Sequence, residues 1–335
     1  MLIIITRTPY RISLFGGGSD YPEWYRENGG QVISFAIDKY CYLSARELPP
    51  FFDHRYRVVY SRVETTLNIS EIEHPAIREG LKEFGPHFPL EIHHDGDLPA
   101  RSGIGSSSAF AVGLIHTLLL LQKKPINPEK LANEAIKLER EILKENVGIQ
   151  DQIACSYGGL NHLTFDKENW RISPIDVPRS YQKEIERRVV LVFTGVQRTS
   201  SDVQAGLLKE IENKSQAMNK TINLAKECRL LLEGEGDLDL VGEMLVEAWN
   251  VKRELNPFST NSTLESIWKK SITAGALGGK VIGAGGGGFF LFWVADGERE
   301  NFLKRFDFGT HVPVAIEKRG STCIFSGDED SGSID

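Results

Sequence analysis

The 335-residue chain is 41% hydrophobic and 25% charged, a composition ordinary for a soluble protein of one large or two smaller domains. Its net charge of −7 argues against a nucleic-acid-binding surface, which needs a basic stripe, and no apolar run has the length and character of a membrane span. The start lacks a signal-peptide pattern and four scattered cysteines form no CxxC pair, so we expect reduced thiols in a cytoplasmic protein.

The first half of the chain alternates strand-like segments with turns. Enrichment in β-branched and aromatic residues predicts strands in LIIITRTPYRISLF (2–15), GGQVISFAIDKYCYLSARE (29–47), YRVVYS (56–61) and LEIHHDG (90–96). A helix is predicted from Ser106 to about Gln122. Asn127 as N-cap and Pro128 at the first helical position predict a second helix, which runs through 129–145.

The second half is richer in helices. Helices are predicted at 201–234, 237–255, 263–275 and 298–306, and strands at 187–195, 278–285, 287–295 and 311–319. The polar, proline-containing segment SPIDVPRS resembles a linker. We therefore expect an α+β chain with an N-terminal domain at 1–180, a C-terminal domain at 181–325 and a flexible acidic tail at 326–335.

The segment SGIGSSSA (102–109) lies directly before the first of these helices. Amide groups at a helix start are unpaired and, with the helix dipole, favour an anion, while Gly103 and Gly105 allow close backbone approach. A plain helix cap is the alternative, although one serine suffices for a cap. The segment is not a Walker A loop, since no Gly-Lys-Ser/Thr follows, and it lacks the third glycine of a dinucleotide fingerprint. By composition alone the pattern leaves a phosphate site and a helix cap open.

One carboxylate of the second helix points towards the protein interior. On a helical wheel of about 100° per residue the apolar residues span an arc of roughly 160°, and Glu139 falls inside it. A buried Glu paired to an arginine is the alternative. Asp151 follows 12 positions later. Two carboxylates after a phosphate-like loop suggest Mg²⁺ binding and proton abstraction.

A third pattern is RTPYRISLFGGGSDY (7–21). Arg7 and Arg11 lie on one face of the strand by parity, and we expect the three glycines that follow to expose Asp20. A hairpin with surface arginines is the alternative. An exposed aspartate after a glycine turn is also well suited to bind sugar hydroxyls.

Three motifs, in order, resemble those of the GHMP kinase superfamily, named for galactokinase, homoserine kinase, mevalonate kinase and phosphomevalonate kinase. They are PYRISLFGGGSDY (9–21), PARSGIGSSSA (99–109) and GKVIGAGGGGFF (279–290), and the likeness extends over residues 3–325. The resemblance implies a two-domain GHMP kinase fold, with an N-terminal domain like ribosomal protein S5 domain 2 and a ferredoxin-like C-terminal domain. It also implies ATP and Mg²⁺ as cofactors.

The resemblance assigns roles to the matching positions. Asp151 and Arg11 match the catalytic aspartate and the basic residue that stabilises the transferred phosphoryl group, and Ser108 and Glu139 match the Mg²⁺ ligands. The implied ATP-binding residues are Ser102, Gly103, Ile104, Gly105, Ser106, Ser107, Ser108, Gly285 and Gly286. The implied substrate-binding residues are Gly17, Gly18, Ser19, Asp20, Arg198 and Thr199.

Within the superfamily, the first motif and LEREILKENVGIQDQIA (138–154) are most similar to sugar kinases that act on D-glycero-D-manno-heptose 7-phosphate. This implies an enzyme that phosphorylates the anomeric hydroxyl of a small sugar phosphate for polysaccharide biosynthesis. We expect a monomer or a homodimer. Galactokinase has Gly-Glu-His-Thr-Asp where this chain has GGGSD, which disfavours galactose. A fucokinase-like enzyme, a mevalonate-branch decarboxylase and a non-catalytic sensor remain alternatives. Residues offered for the substrate's own phosphate are Arg46, Arg55, Arg57 and Arg198.

Overall fold

The computed structural model describes residues 2–167, 169–196 and 214–327. It is an α+β protein with an eight-stranded and a four-stranded sheet, which confirms the predicted class. The strands are β1 (Ile3–Phe15), β2 (Gly30–Glu47), β3 (Tyr56–Val59), β4 (Val63–Thr66), β5 (Leu90–Gly96), β6 (Leu160–Asp166), β7 (Asn169–Pro174), β8 (Val189–Phe193), β9 (Ala276–Val281), β10 (Phe289–Val294), β11 (Thr310–Val312) and β12 (Thr322–Gly327). The helices are α1 (Pro22–Asn28), α2 (Pro75–Phe84), α3 (Ser106–Leu121), α4 (Pro128–Ile136), α5 (Gln150–Tyr157), α6 (Arg179–Arg188), α7 (Ser215–Glu233), α8 (Asp239–Leu255), α9 (Ser262–Ala274) and α10 (Arg299–Arg305).

The long strand β2 lies in the middle of the first sheet, in which the strand order is β12-β1-β2-β5-β3-β4 and β6 pairs with both β2 and β7. β1 pairs with β2 along one edge, while β6 and β5 share the other edge. β5 ends at Gly96, which pairs with Cys41, and Cys41 pairs with Thr8 of β1. The chain after β5 therefore starts beside the middle of β1, close to Arg11.

The second sheet is antiparallel, with the order β11-β8-β10-β9. The predicted final strand at 311–319 is wrong beyond Val312, because Pro313 has no amide hydrogen with which to continue the pairing. The chain instead returns to the first sheet, where β12 pairs with β1. Ser326 and Gly327, predicted to be tail, thus belong to a strand, and residues 328–335 lie outside the described part of the chain. The domain boundaries stay a prediction.

The central helix α3 begins at Ser106, as predicted, after Gly105 in a left-handed conformation with φ of 73°. Thirteen of its sixteen residues are buried, so the helix is apolar all round and packs against β1, β2 and other helices. This burial fixes the segment before α3, which we call the serine loop (102–108), against the first sheet. Among the described residues no helix is both long and apolar enough to cross a membrane.

The second predicted helix begins as expected, since the Asn127 side chain accepts a hydrogen bond from the Lys130 amide and Pro128 follows. The expectation of one regular helix to residue 145 is wrong beyond Ile136. Residues 137–142 form a π-helical turn, in which the amide of Leu143 donates to the carbonyl of Leu138. Such turns widen the helix by one residue and are frequent at functional sites.

Candidate active site

The serine loop is held to β1 by its backbone. The amide of Arg11 donates to the carbonyl of Ile104 at 3.1 Å, and the guanidinium of Arg11 donates to the carbonyl of Gly103 at 2.7 Å. The side chains of Ser102 and Ile104 are buried, and the Ser102 hydroxyl donates to the Pro99 carbonyl. These two residues fix the path of the loop, whereas Gly103, Ser106 and Ser107 keep accessible surface.

The residues 283–288, here called the glycine loop, pack backbone to backbone on the serine loop. The amide of Phe289 donates to the carbonyl of Ser102 at 3.0 Å. A Cβ atom on Gly283 would lie 2.5 Å from the Cα of Gly103, and one on Gly288 would collide with Ser102. Only glycine permits this approach.

The predicted pair Gly285 and Gly286 lies on the other side of the glycine loop. Gly286 donates its amide to the Ser259 carbonyl at 2.7 Å, and a Cβ on Gly285 would meet Ser259. The contacts with the serine loop come instead from Gly283 and Gly288, which belong to the predicted third motif but are not among the predicted ATP-binding residues.

Lys252 of α8 anchors the start of the glycine loop. Its ammonium donates to the carbonyls of Val281 and Gly283. Burial, followed by repulsion from Lys280 and Arg11, lowers the pKa of Lys252 well below its ordinary value. The side chain thus ties α8 to the end of β9 and to the start of the glycine loop.

Arg11 and Asp151 form a bidentate ion pair. The Nε atom of Arg11 lies 2.6 Å from Oδ1 of Asp151, and Nη2 lies 2.5 Å from Oδ2. Arg11 is 4% exposed, while the Asp151 side chain keeps 23% of its surface accessible. The two residues are 140 positions apart in the sequence, and their pairing excludes the alternative of a surface arginine at position 11.

Glu139 projects from the π-helical turn into the interior and is 1% exposed, as the wheel predicts. Its carboxylate accepts hydrogen bonds from the hydroxyls of Ser107 at 2.6 Å and Ser108 at 2.7 Å, and from the Gln152 amide at 2.5 Å. Among the described residues it has no arginine or lysine partner, so the ion-pair alternative is wrong. Burial raises the pKa of Glu139 to about 7, against the opposing effect of the serine hydrogen bonds.

The donor set around Glu139 fits magnesium. A carboxylate, two hydroxyls and an amide oxygen are hard ligands, and Mg²⁺ is commonly held by one or two carboxylates together with phosphates and waters. The Oε1 atom of Gln152 is buried without a hydrogen-bond partner in the described structure. The described residues hold no cluster of three or more His, Cys, Asp and Glu side chains that could bind a metal unaided. A cation here would thus depend on a phosphate ligand as well.

Asp20 does not lie where the sequence predicts. It is 1% exposed, and its carboxylate accepts hydrogen bonds from the amide of Gly18 at 3.0 Å and from both the amide and the side chain of Gln150 at 3.1 and 2.9 Å. Burial, and next the charge of Asp151, raise its pKa. The glycine turn therefore folds Asp20 inward, where it ties β1 to α5, and the expected exposure is wrong.

The rest of the first motif is also turned inward. The hydroxyl of Ser19 is buried and donates to the carbonyls of Gly16 and Gln31. Gly18 is buried as well, so that of the four predicted substrate-binding residues in this turn only Gly17 keeps partial exposure. Arg198 and Thr199 lie outside the described residues.

Three of the four arginines offered for a substrate phosphate lie far from Asp151, and the fourth, Arg198, is outside the described residues. Arg46 and Arg57 both pair with the buried Glu91. Arg46 is ten residues along β2 from Ala36, the partner of Arg11, which is about 30 Å at 3.3 Å per residue. Arg55 is exposed in the turn before β3, beside the same end of β5. These side chains are therefore excluded from the neighbourhood of Arg11.

Sequence reasoning missed several residues that the structure brings to this site. They are Gln150, Gln152, Lys252, Lys280, Gly283 and Gly288. The sequence does mark the two glutamines and Lys280. The glutamines flank Asp151 directly, and Lys280 interrupts the otherwise apolar strand β9. Lys252 carried no signal, because it lies on a helix rich in charged residues.

Comparison with known proteins supplies the family. Residues 71–159 match the family model for the GHMP kinases N terminal domain, and residues 224–306 match the model for the GHMP kinases C terminal. D-glycero-alpha-D-manno-heptose 7-phosphate kinase of Campylobacter jejuni is 30% identical over 91% of this chain and 93% of that protein. The bifunctional fucokinase/GDP-fucose pyrophosphorylase of Arabidopsis thaliana is 26% identical over 89% of this chain and 30% of that protein.

Solved structures agree on the fold. A D-glycero-D-manno-heptose 1-phosphate kinase from Bacteroides thetaiotaomicron superposes with a TM-score of 0.77 at 22% identity, covering 96% of this chain and 98% of the other. Lactococcus lactis galactokinase superposes with a TM-score of 0.73 at 18% identity, covering 96% and 95%. The likeness confirms the GHMP kinase fold. The chain is a phosphotransferase, and it belongs to the GHMP kinase family.

Proposed function

We propose that this kinase uses ATP to phosphorylate the anomeric hydroxyl of D-glycero-D-manno-heptose 7-phosphate, giving the 1,7-bisphosphate for nucleotide-activated heptose and surface polysaccharide synthesis. The observation that carries the phosphoryl-transfer chemistry is the bidentate pair of Arg11 and Asp151 beside the serine loop. The substrate assignment is supported by the similarity to the Campylobacter jejuni heptose kinase. The GGGSD turn, which lacks the Glu and His of galactokinase, also supports it.

In this proposal the triphosphate lies on the serine loop, with the glycine loop against its other side. Ser108 and Glu139 would hold a magnesium ion, which would supply positive charge that offsets the charge of the phosphates. Asp151 accepts the proton of the anomeric hydroxyl as the sugar oxygen bonds to the γ-phosphorus. The bond from that phosphorus to the bridging oxygen breaks, and ADP leaves with the electron pair.

Arg11 has two roles in this scheme. Its guanidinium fixes the orientation of Asp151, and its positive charge stabilises the oxygens of the transferred group. An anomeric hydroxyl is more acidic than an ordinary alcohol, so the Asp151 carboxylate suffices as base. Most of the rate enhancement then comes from positioning and from fixed charges.

The test is phosphoryl transfer to heptose 7-phosphate compared with fucose, galactose and mannose, with the product position identified by phosphorus NMR. We expect transfer to the C1 oxygen of the heptose phosphate. Transfer to fucose in preference would establish the fucokinase-like alternative, and binding without ADP release would establish the sensor.

The role of Asp151 has its own test. Asp151→Asn should lower kcat by about 10²–10⁴ with sugar affinity largely kept, because the amide cannot accept the proton. Asp296→Asn is a matched control, since Asp296 follows β10 of the second sheet and forms an exposed ion pair with Arg187. Turnover of Asp151→Asn close to that of the unaltered protein would show that Asp151 is not the base.

A further inference from the structure

Lys280 is a buried cation between the two sheets. It lies on β9 opposite Leu291 of β10 and is 8% exposed. Its ammonium sits 5.9 Å from the ring centre of Phe15, a residue of β1 on the same strand as Arg11. The side chain thus reaches from the C-terminal sheet towards the strand that carries the Arg11–Asp151 pair.

Within the described part of the chain, this ammonium has no hydrogen bond and no ion pair. The ammonium makes a cation–π contact with the ring of Phe15. This contact does not replace the three hydrogen bonds that an ammonium makes in water. Lys252, the neighbouring lysine, is by contrast bonded to two carbonyls. Lys280 is therefore the partner-less member of the pair.

The surroundings carry excess positive charge. Arg11, Lys252 and Lys280 lie close enough to one another to interact, and Asp151 is the carboxylate that Arg11 already engages. Burial, and then repulsion from Arg11, lower the pKa of Lys280 to about 7. An anion bound here would offset the electrostatic repulsion among these positively charged side chains.

A purely structural role does not explain a lysine at this position. The next two residues of the chain, Val281 and Ile282, have fully buried apolar side chains. An apolar residue of similar length at position 280 would fill the space without desolvating a charge. A buried charge kept without a partner beside an Arg–Asp pair is the pattern expected of a group that meets its partner in a ligand.

We propose that Lys280 is a further catalytic residue, whose ammonium binds the oxygens of the γ-phosphoryl group while it is transferred. The inference rests on the proposed placement of the triphosphate on the serine loop. It places one cation from each sheet on the transferred group, Arg11 from the first and Lys280 from the second. The packing of the glycine loop on the serine loop holds the strands that carry these two cations next to each other.

The experiment compares Lys280→Met with Lys270→Met, which removes an exposed lysine of α9. Lys280→Met should lower kcat by about 10²–10³ with the KM for the sugar changed less than threefold, because a charge that acts on the transition state is lost. Calorimetric titration should show a smaller ratio of ATP to ADP affinity for this variant than for the unaltered protein and for Lys270→Met, because one of the cations on the γ-phosphate is lost. The thermal midpoint should be equal or higher, since an uncompensated charge is gone.

Three results separate the proposals. Unchanged kcat and an unchanged ratio of ATP to ADP affinity would overturn the role of Lys280 while leaving the kinase intact. A raised KM confined to the phosphorylated sugar, with kcat kept, would also overturn it and assign Lys280 to the substrate's own phosphate. Absence of turnover in the unaltered protein refutes the proposed function itself. If Lys280→Met does not fold, Lys280→Gln, which keeps a donor without the charge, carries the same expectations.

Discussion

Replacing Glu139 by glutamine tests whether its buried carboxylate destabilises the folded protein when it is ionised, and whether a bound cation removes that destabilisation. In the folded, metal-free protein the pKa of Glu139 is raised from 4.5 to about 7. Between these values the folded protein keeps a proton that the unfolded chain has lost, so stability falls as the pH rises through this window. This difference in pKa corresponds to about 3 kcal/mol of stability, which is present below pH 4.5 and fully lost above pH 7. Glu139→Gln does not titrate and should not show this loss.

The assay is urea unfolding in EDTA at pH 4.5 and pH 8. The free energy of unfolding of the unaltered protein, relative to Glu139→Gln, should fall by about 3 kcal/mol between the two pH values. Adding Mg²⁺ and ATP at pH 8 should then stabilise the unaltered protein more than the variant. Glu141→Gln, an exposed change on the same turn, should stay within about 0.5 kcal/mol at both pH values. If the free energies of unfolding of the unaltered protein and Glu139→Gln differ by the same amount at both pH values, the reasoning is refuted.

Two further changes probe the loops and the distant arginines. Gly283→Ala should cost about 2 kcal/mol more than Gly297→Ala and weaken ATP binding at least tenfold in calorimetry, because both positions have positive φ but only Gly283 faces Gly103 at 2.5 Å. Equal costs would exclude the backbone contact. Arg46→Ala should leave the KM for the sugar phosphate within twofold, since Arg46 pairs with Glu91. A tenfold rise would return Arg46 to the substrate site.

Local chemistry let the sequence predict much of the site. A glycine-serine segment before an apolar run predicts a helix start with free amides, and α3 begins at the predicted Ser106. The 3.6-residue periodicity directed Glu139 inward because the helical geometry up to Ile136 is regular. β-branched and aromatic residues likewise predicted β1, β2 and β10, most of whose side chains are buried.

What the sequence could not decide depends on contacts between distant residues. The inward turn of Asp20 is imposed by Gln150, which is 130 positions away, and the return of β12 to β1 joins the two ends of the described chain. Likewise, no periodicity identifies Lys252 or Lys280 as neighbours of Arg11. Local propensity and spacing fix the elements and the face that each buries, whereas a charge acquires its function from the groups that tertiary packing brings against it.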